Sequence, residues 1–139
     1  MAHVLETGFE ILNRENPNGS PTVMGYNIIN GELRPASDGE TFESRNPAWL
    51  DDCVGVFPLS TKEDVHDALI SAREAFSQWS QTPAPTRGQI IGNMGRLLMQ
   101  HKDDIVRVES REIGKTLKES AGEVQEAIDT CLFFQSEGR

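Results

Sequence analysis

Ser110-Arg111-Glu112-Ile113-Gly114-Lys115-Thr116-Leu117-Lys118-Glu119 ends one helix and starts another. Gly114 is a natural stop, because glycine tolerates the positive φ at which helices end. Thr116 and Glu119 stand at capping-box spacing, which satisfies the first free N–H groups of a new helix. Downstream, Leu117, Ala121, Val124, Ile128, Cys131, Leu132 and Gln135 recur at helical spacing and give that helix one apolar stripe. Upstream, a helix starting near Asp103-Asp104 carries Ile105 and Val108.

Further upstream the same period continues. Ile90, Ile91, Met94, Leu97 and Leu98 share one face of a helix that follows the breaker Thr82-Pro83-Ala84-Pro85. Val65, Ala68, Leu69, Ala72, Phe76 and Trp79 form the stripe of an earlier helix. Thr61 is its N-cap, and Asp64 favours its dipole. Before Pro58 the period falls to two. Tyr26-Asn27-Ile28-Ile29 runs into Asn30-Gly31, a strong hairpin signal, and Glu32-Leu33-Arg34 returns. Thr41-Phe42-Glu43-Ser44 and Cys53-Val54-Gly55-Val56-Phe57-Pro58 complete an expected antiparallel meander of three or four strands. Residues 1–22 are polar and turn-rich and read as a flexible N-terminal arm.

Composition narrows the function classes. The 139 residues carry 13 Lys+Arg against 22 Asp+Glu, a net charge of −9. That excess excludes a nucleic-acid binder held by phosphate contacts, and a polybasic membrane-surface protein. No apolar run approaches the roughly 20 residues that span a bilayer. Met1-Ala2-His3-Val4-Leu5-Glu6 lacks the charged and apolar regions of a signal peptide, and two cysteines make no disulfide framework. A cytoplasmic protein is the expectation. The four apolar stripes need more partner surface than a meander of some thirty residues offers. The pattern is that of the start of a larger fold.

Several strings, in order, carry a resemblance. They are Ile29-Asn30-Gly31-Glu32, Asn46-Pro47, Ala72-Arg73-Glu74-Ala75-Phe76 with Trp79, Pro83-Ala84-Pro85-Thr86-Arg87, Glu112-Ile113-Gly114-Lys115, and Gly122-Glu123-Val124-Gln125-Glu126. From about Tyr26 to Arg139 the chain resembles the N-terminal part of the NAD(P)-dependent aldehyde dehydrogenase superfamily. Pro85-Thr86-Arg87-Gly88, Ser110 to Lys115, and Gly122 to Glu126 with Asp129 and Cys131 look most like the antiquitin branch of semialdehyde dehydrogenases.

The resemblance implies an α/β fold of aldehyde dehydrogenase type. Here it would comprise a small antiparallel meander and about four helices, without the Rossmann-like parallel sheet. Residues 23–139 would be an incomplete N-terminal part of the cofactor-binding domain. The implied chemistry belongs to a longer parent. A cysteine thiolate attacks an aldehyde, the thiohemiacetal gives hydride to NAD or NADP, and a Glu-activated water hydrolyses the thioester. The family places its nucleophile, general base, oxyanion Asn and cofactor-binding glycine motif further along the chain. Gly92-Asn93-Met94-Gly95 has the wrong spacing for a phosphate turn and lies inside a helix pattern. The isolated chain is therefore expected to bind no cofactor and oxidise no aldehyde. The parent's partners would be NAD(P), a small aldehyde and copies of itself in a homo-oligomer.

Glu126 matches a Glu that in antiquitin-like enzymes reaches the aldehyde tunnel and meets a substrate ammonium. Its plainer role is a solvated helix carboxylate beside Glu119, Glu123 and Asp129. Ala127 and Phe134 would line the same tunnel or pack in the core. Glu112 matches a position near the family's monovalent-cation site; otherwise it is a helix-end carboxylate beside Lys115. Cys131 and Cys53 read as core thiols. His3, His66 and His101 share no ligand spacing and read as surface residues. Arg87 pairs either with an acidic residue or with polypeptide outside the chain. Two other classes remain: a non-catalytic module that assembles with full-length dehydrogenase subunits, and a free-standing helical binding module.

Overall fold

The computed structural model describes residues 10–12 and 16–137, with side chains from residue 16 onward. Six strands precede four helices. The strands are β1 (Glu10–Leu12), β2 (Thr22–Met24), β3 (Asn27–Ile29), β4 (Glu32–Arg34), β5 (Thr41–Arg45) and β6 (Cys53–Pro58). The helices are α1 (Lys62–Gln81), α2 (Ala84–Gln100), α3 (Lys102–Ile113) and α4 (Leu117–Glu137). The chain divides into two compact units, Met1–Ala75 and Phe76–Arg139.

In the first unit Asn30 and Gly31 both take positive φ, 53° and 76°, as a two-residue type I′ turn requires, and β3 pairs antiparallel with β4 across it. The other strands form one sheet in the order β1-β2-β6-β5. The expected meander is corrected in one ladder. β5 and β6 are antiparallel, but on its other side β6 pairs in parallel with β2, Val23 opposite Gly55. The hairpin stands apart as its own two-stranded sheet. The physical reason lies in β6. Cys53, Val54 and Gly55 are all buried, a continuous run rather than an alternating one, and such a strand needs a neighbour along each edge.

The stretch 1–22, expected as a flexible arm, is described at residues 10–12 and 16–22. Glu10–Leu12 pairs antiparallel with β2, and Thr22 is fully buried in that strand. Buried Asn16 ties this stretch to β6. Its Nδ2 donates to the Cys53 carbonyl (3.0 Å), Thr22 Oγ1 (2.9 Å) and the Ser20 carbonyl (2.9 Å), and its Oδ1 accepts from the Cys53 N–H (2.9 Å). Residues 1–9, including His3, and 13–15 lie outside the described residues.

In the second unit α2, α3 and α4 pack together. Val106, Val124 and Ile128 form the buried centre, with Leu98, Ile105 and Ala121 against it. Gly114 ends α3 at φ 77°, as its position suggests. Thr116 and Glu119 form the capping box of α4: the Thr116 N–H and hydroxyl donate to Glu119, and the Glu119 N–H donates to Thr116 Oγ1. The expected apolar face of α2 divides. Ile91 and Leu98 are half-buried, whereas Ile90, Met94 and Leu97 stay about half exposed. The buried positions of α2 are instead Gly88, Gly92 and Gly95, which lie against Gln135 and Cys131 of α4.

Candidate functional site

The site of interest lies on α4. Its capping box sets the start of the helix, and the 3.6-residue period then puts Gly122, Gln125, Glu126, Asp129, Thr130, Phe133 and Phe134 along one open groove of about 420 Å³. The opposite side of the helix, through Val124, Ile128 and Cys131, is buried. Packing of that side holds the groove side outward.

Glu126 is exposed in this groove. Phe134 lines it with Phe133, their rings edge-to-face at 5.4 Å, while Ala127 is exposed and not part of the lining. The carboxylates around Glu126 are not equivalent, although the sequence groups them as exposed company. Asp129 accepts from Gln125 Nε2 (2.9 Å), and Lys102 Nζ of α3 donates to Gln125 Oε1 (2.6 Å). Glu119 is used in the cap, where the Thr116 hydroxyl and N–H hold its carboxyl below the usual range. Glu123 pairs with Lys115, which lowers its carboxyl and raises the Lys115 ammonium. Glu109 of α3 shares a hydrogen bond with Glu123; burial first, and then that contact, push the Glu109 carboxyl up. A carboxylate beside two aromatic rings suits a cationic group: the carboxylate supplies a charge-assisted hydrogen bond, and the ring faces supply a quadrupole attraction.

The other singled-out residues lie elsewhere. Glu112 is exposed in the last turn of α3, and among the described residues no group of three or more His, Cys, Asp or Glu is placed to hold a metal ion. Cys131 is buried with its Cβ facing Gly95. Cys53 is buried in β6, its Sγ 3.7 Å from the Gly55 carbonyl. His66 and His101 are exposed. Arg87, expected to pair with an acidic residue or with polypeptide outside the chain, donates from Nη1 to the Thr82 carbonyl at 2.7 Å and to the Ser80 carbonyl at 3.5 Å. Gly92 and Gly95, the glycines nearest to a phosphate-turn pattern, lie inside α2 pressed against α4, so they offer no open N–H cradle for a dinucleotide.

Two arrangements escaped the sequence pattern. Asp64 does more than favour the α1 dipole. It accepts from the Thr61 N–H (2.7 Å) and from the Ser37 N–H (3.0 Å), clamping the turn after β4 to the start of α1. The Thr61-to-Asp64 spacing was the available signal, and Ser37 had none. The glycine face of α2 was signalled only by the i, i+4 repeat of Gly88 and Gly92.

Among the described residues no helix is long and apolar enough to cross a membrane. The model of the aldehyde dehydrogenase family matches residues 34–139. The chain is 40% identical over 110 residues to an alpha-ketoglutarate semialdehyde dehydrogenase of Haloferax volcanii, covering 79% of this chain and 23% of that relative. It is 38% identical over 113 residues to malonate-semialdehyde dehydrogenase 1 of Geobacillus kaustophilus, covering 81% and 23%. Among solved structures, a betaine aldehyde dehydrogenase of Staphylococcus aureus in complex with NAD+ superposes with a TM-score of 0.76 at 28% identity, over 80% of this chain and 22% of that one. The chain thus spans less than a quarter of the length of the relatives it matches.

Proposed function

The chain belongs to the aldehyde dehydrogenase family, and from that premise we propose that it is the N-terminal segment of a longer NAD(P)-dependent enzyme that oxidises an aldehyde or semialdehyde to a carboxylate. The observation that carries this reading is the family match over 34–139, which takes in β5, β6 and all four helices, while the whole chain spans only 23% of its relatives' length.

The residues present do not fit a dinucleotide. The α2 glycines are filled by α4, and among the described residues the one parallel ladder is the short β2–β6 pair. The nucleotide, the nucleophilic cysteine and the general base belong to polypeptide outside this chain. By itself the chain is inactive and binds no NAD or NADP. In the complete enzyme, a homo-oligomer of the cytoplasm, the α4 groove forms part of the wall that an aldehyde passes. Glu126 meets a positive charge on that aldehyde, with Phe133 and Phe134 beside it. Glu112 lies close to a monovalent-cation site completed by residues outside this chain.

The test is a chimaera in which this chain replaces the corresponding segment of the Haloferax volcanii relative. Aldehyde-dependent NAD(P)H formation by the chimaera, with none from the purified chain alone, is the expected result. Aldehyde-dependent NADH formation by the 139-residue chain free of host enzymes refutes the proposed division of labour. A chimaera that folds but never forms NAD(P)H refutes the segment's role.

A further inference from the structure

In the first unit glycine directly follows an Asn or Asp at Asn18-Gly19, Asn30-Gly31 and Asp38-Gly39, and all of these residues are exposed. The first and last pairs are tied down in the same way. The Gly19 N–H donates to the Asn16 carbonyl and the Gly39 N–H to the Ala36 carbonyl, each at 2.9 Å. Asn18 Oδ1 accepts from the Ser20 N–H and Asp38 Oδ1 from the Glu40 N–H, again at 2.9 Å. Buried Asn16 and Ala36 anchor those turns. The middle pair differs. Among the described residues no hydrogen bond holds the Gly31 N–H or the Asn30 side-chain amide, and Asn30 is the one non-glycine residue with a positive φ. It sits at the tip of a hairpin whose strands are three residues long and which forms a sheet of its own. A two-stranded hairpin of that size is marginal in water and opens locally.

We infer that Asn30 is the site of a spontaneous covalent modification, in which the hairpin tip loses ammonia and converts to aspartyl and isoaspartyl forms. The Gly31 nitrogen gives up its proton to solvent and attacks Cγ of Asn30. The Cγ–Nδ2 bond breaks, ammonia leaves, and a cyclic imide closes. Water then opens the imide. Breaking the bond from nitrogen to Cγ restores the normal chain with an aspartyl residue at position 30. Breaking the bond from nitrogen to the main-chain carbonyl carbon leaves the chain running through Cγ, an isoaspartyl link. Nothing is oxidised or reduced, and water is the only co-reactant. Glycine permits the attack because no side chain crowds its nitrogen or restricts its backbone. At Asn18 the same attack first requires the Gly19 N–H and the Asn18 oxygen to leave their partners. The isoaspartyl link adds a backbone atom to a two-residue loop, so the Ile29–Glu32 register no longer closes, and both products place a new carboxylate near Glu32.

The experiment ages the folded 139-residue chain at mildly alkaline pH in water labelled with heavy oxygen. Fragmentation mass spectrometry then maps the label, and the ratio of aspartyl to isoaspartyl, residue by residue. Asn30 is expected to convert on the order of tenfold faster than Asn18, with heavy oxygen in both products. In urea that unfolds the chain the two asparagines convert at similar rates, because both precede glycine. Asn30→Gly keeps the turn, since glycine accepts positive φ, and it removes the conversion at position 30 while Asn18 is unaffected. Equal rates at Asn18 and Asn30 in the folded chain, or a faster Asn18, overturn the inference. So does a preference for Asn30 that persists unchanged in urea, which would come from sequence neighbours and not from the open hairpin tip.

Discussion

Two alanine substitutions four residues apart on α2 have opposite expected signs. At Gly88 an added Cβ falls 2.6 Å from the backbone oxygen of Gln135, an atom fixed in α4. At Gly92 it falls 2.0 Å from Oε1 of the Gln135 side chain, whose end can swing away. Replacing glycine by alanine inside a helix favours folding by about 1 kcal/mol in each case. Against this, Gly88→Ala must push one helix off the other, an overpacking cost of about 2–3 kcal/mol. The net is a loss of about 1–2 kcal/mol. Gly92→Ala costs only a change of Gln135 rotamer and the long 3.5 Å Arg96–Gln135 contact, for a net of about 0–1 kcal/mol in favour of the fold. The pair therefore differs by roughly 1–3 kcal/mol, which at an m-value of about 2 kcal/mol per molar separates their urea midpoints by roughly 1 M. Helical circular dichroism against urea reads both midpoints. Equal shifts in the same direction would refute the claim that a main-chain oxygen, rather than a side chain, limits how closely α2 and α4 approach.

Asn16→Ala removes four hydrogen bonds and leaves the Cys53 N–H and carbonyl without that partner, so urea denaturation should show a loss of about 2 kcal/mol, against near zero for exposed Asn18→Ala. The Thr61 N–H, and then the Ser37 N–H, hold the Asp64 carboxyl below its ordinary value. A carboxyl with a lowered folded pKa contributes stability above its unfolded pKa of about 3.9 and loses it as pH falls through the folded value, so the clamp on α1 weakens below about pH 4, and Asp64→Asn should flatten that part of a pH–melting profile. Glu109 has the reverse sign: its raised carboxyl favours the fold at acid pH and loses that contribution as pH rises through the folded value, so Glu109→Gln should raise the melting midpoint at pH 7 and not at acid pH. In the chimaera Glu126→Gln should raise KM for an ammonium-bearing aldehyde by roughly 3–10-fold with kcat unchanged, and leave KM for a neutral aldehyde alone; equal effects on both would remove Glu126 from substrate recognition.

Local signals carried much of this protein. The hairpin at Asn30-Gly31, the stop at Gly114, the caps at Thr61 and Thr116 and the stripe of α4 are settled by neighbours within about four residues, because positive φ, capping hydrogen bonds and helical period are local properties. The ordered strings from Ile29 to Glu126 were enough to place the chain in its family. Partners distant in sequence were not legible. Asn16 meets Cys53 across 37 residues, Ser37 meets Asp64 across 27, and β2 lies parallel to β6 with the hairpin and β5 between them in sequence. Nothing in a residue's own neighbourhood specifies such a partner. The same reason explains α2. Its large residues mark an apolar face in the sequence, yet the side that packs is the glycine side, because the closest helix approach needs an absence of side chain, and only the fold shows which absence is used.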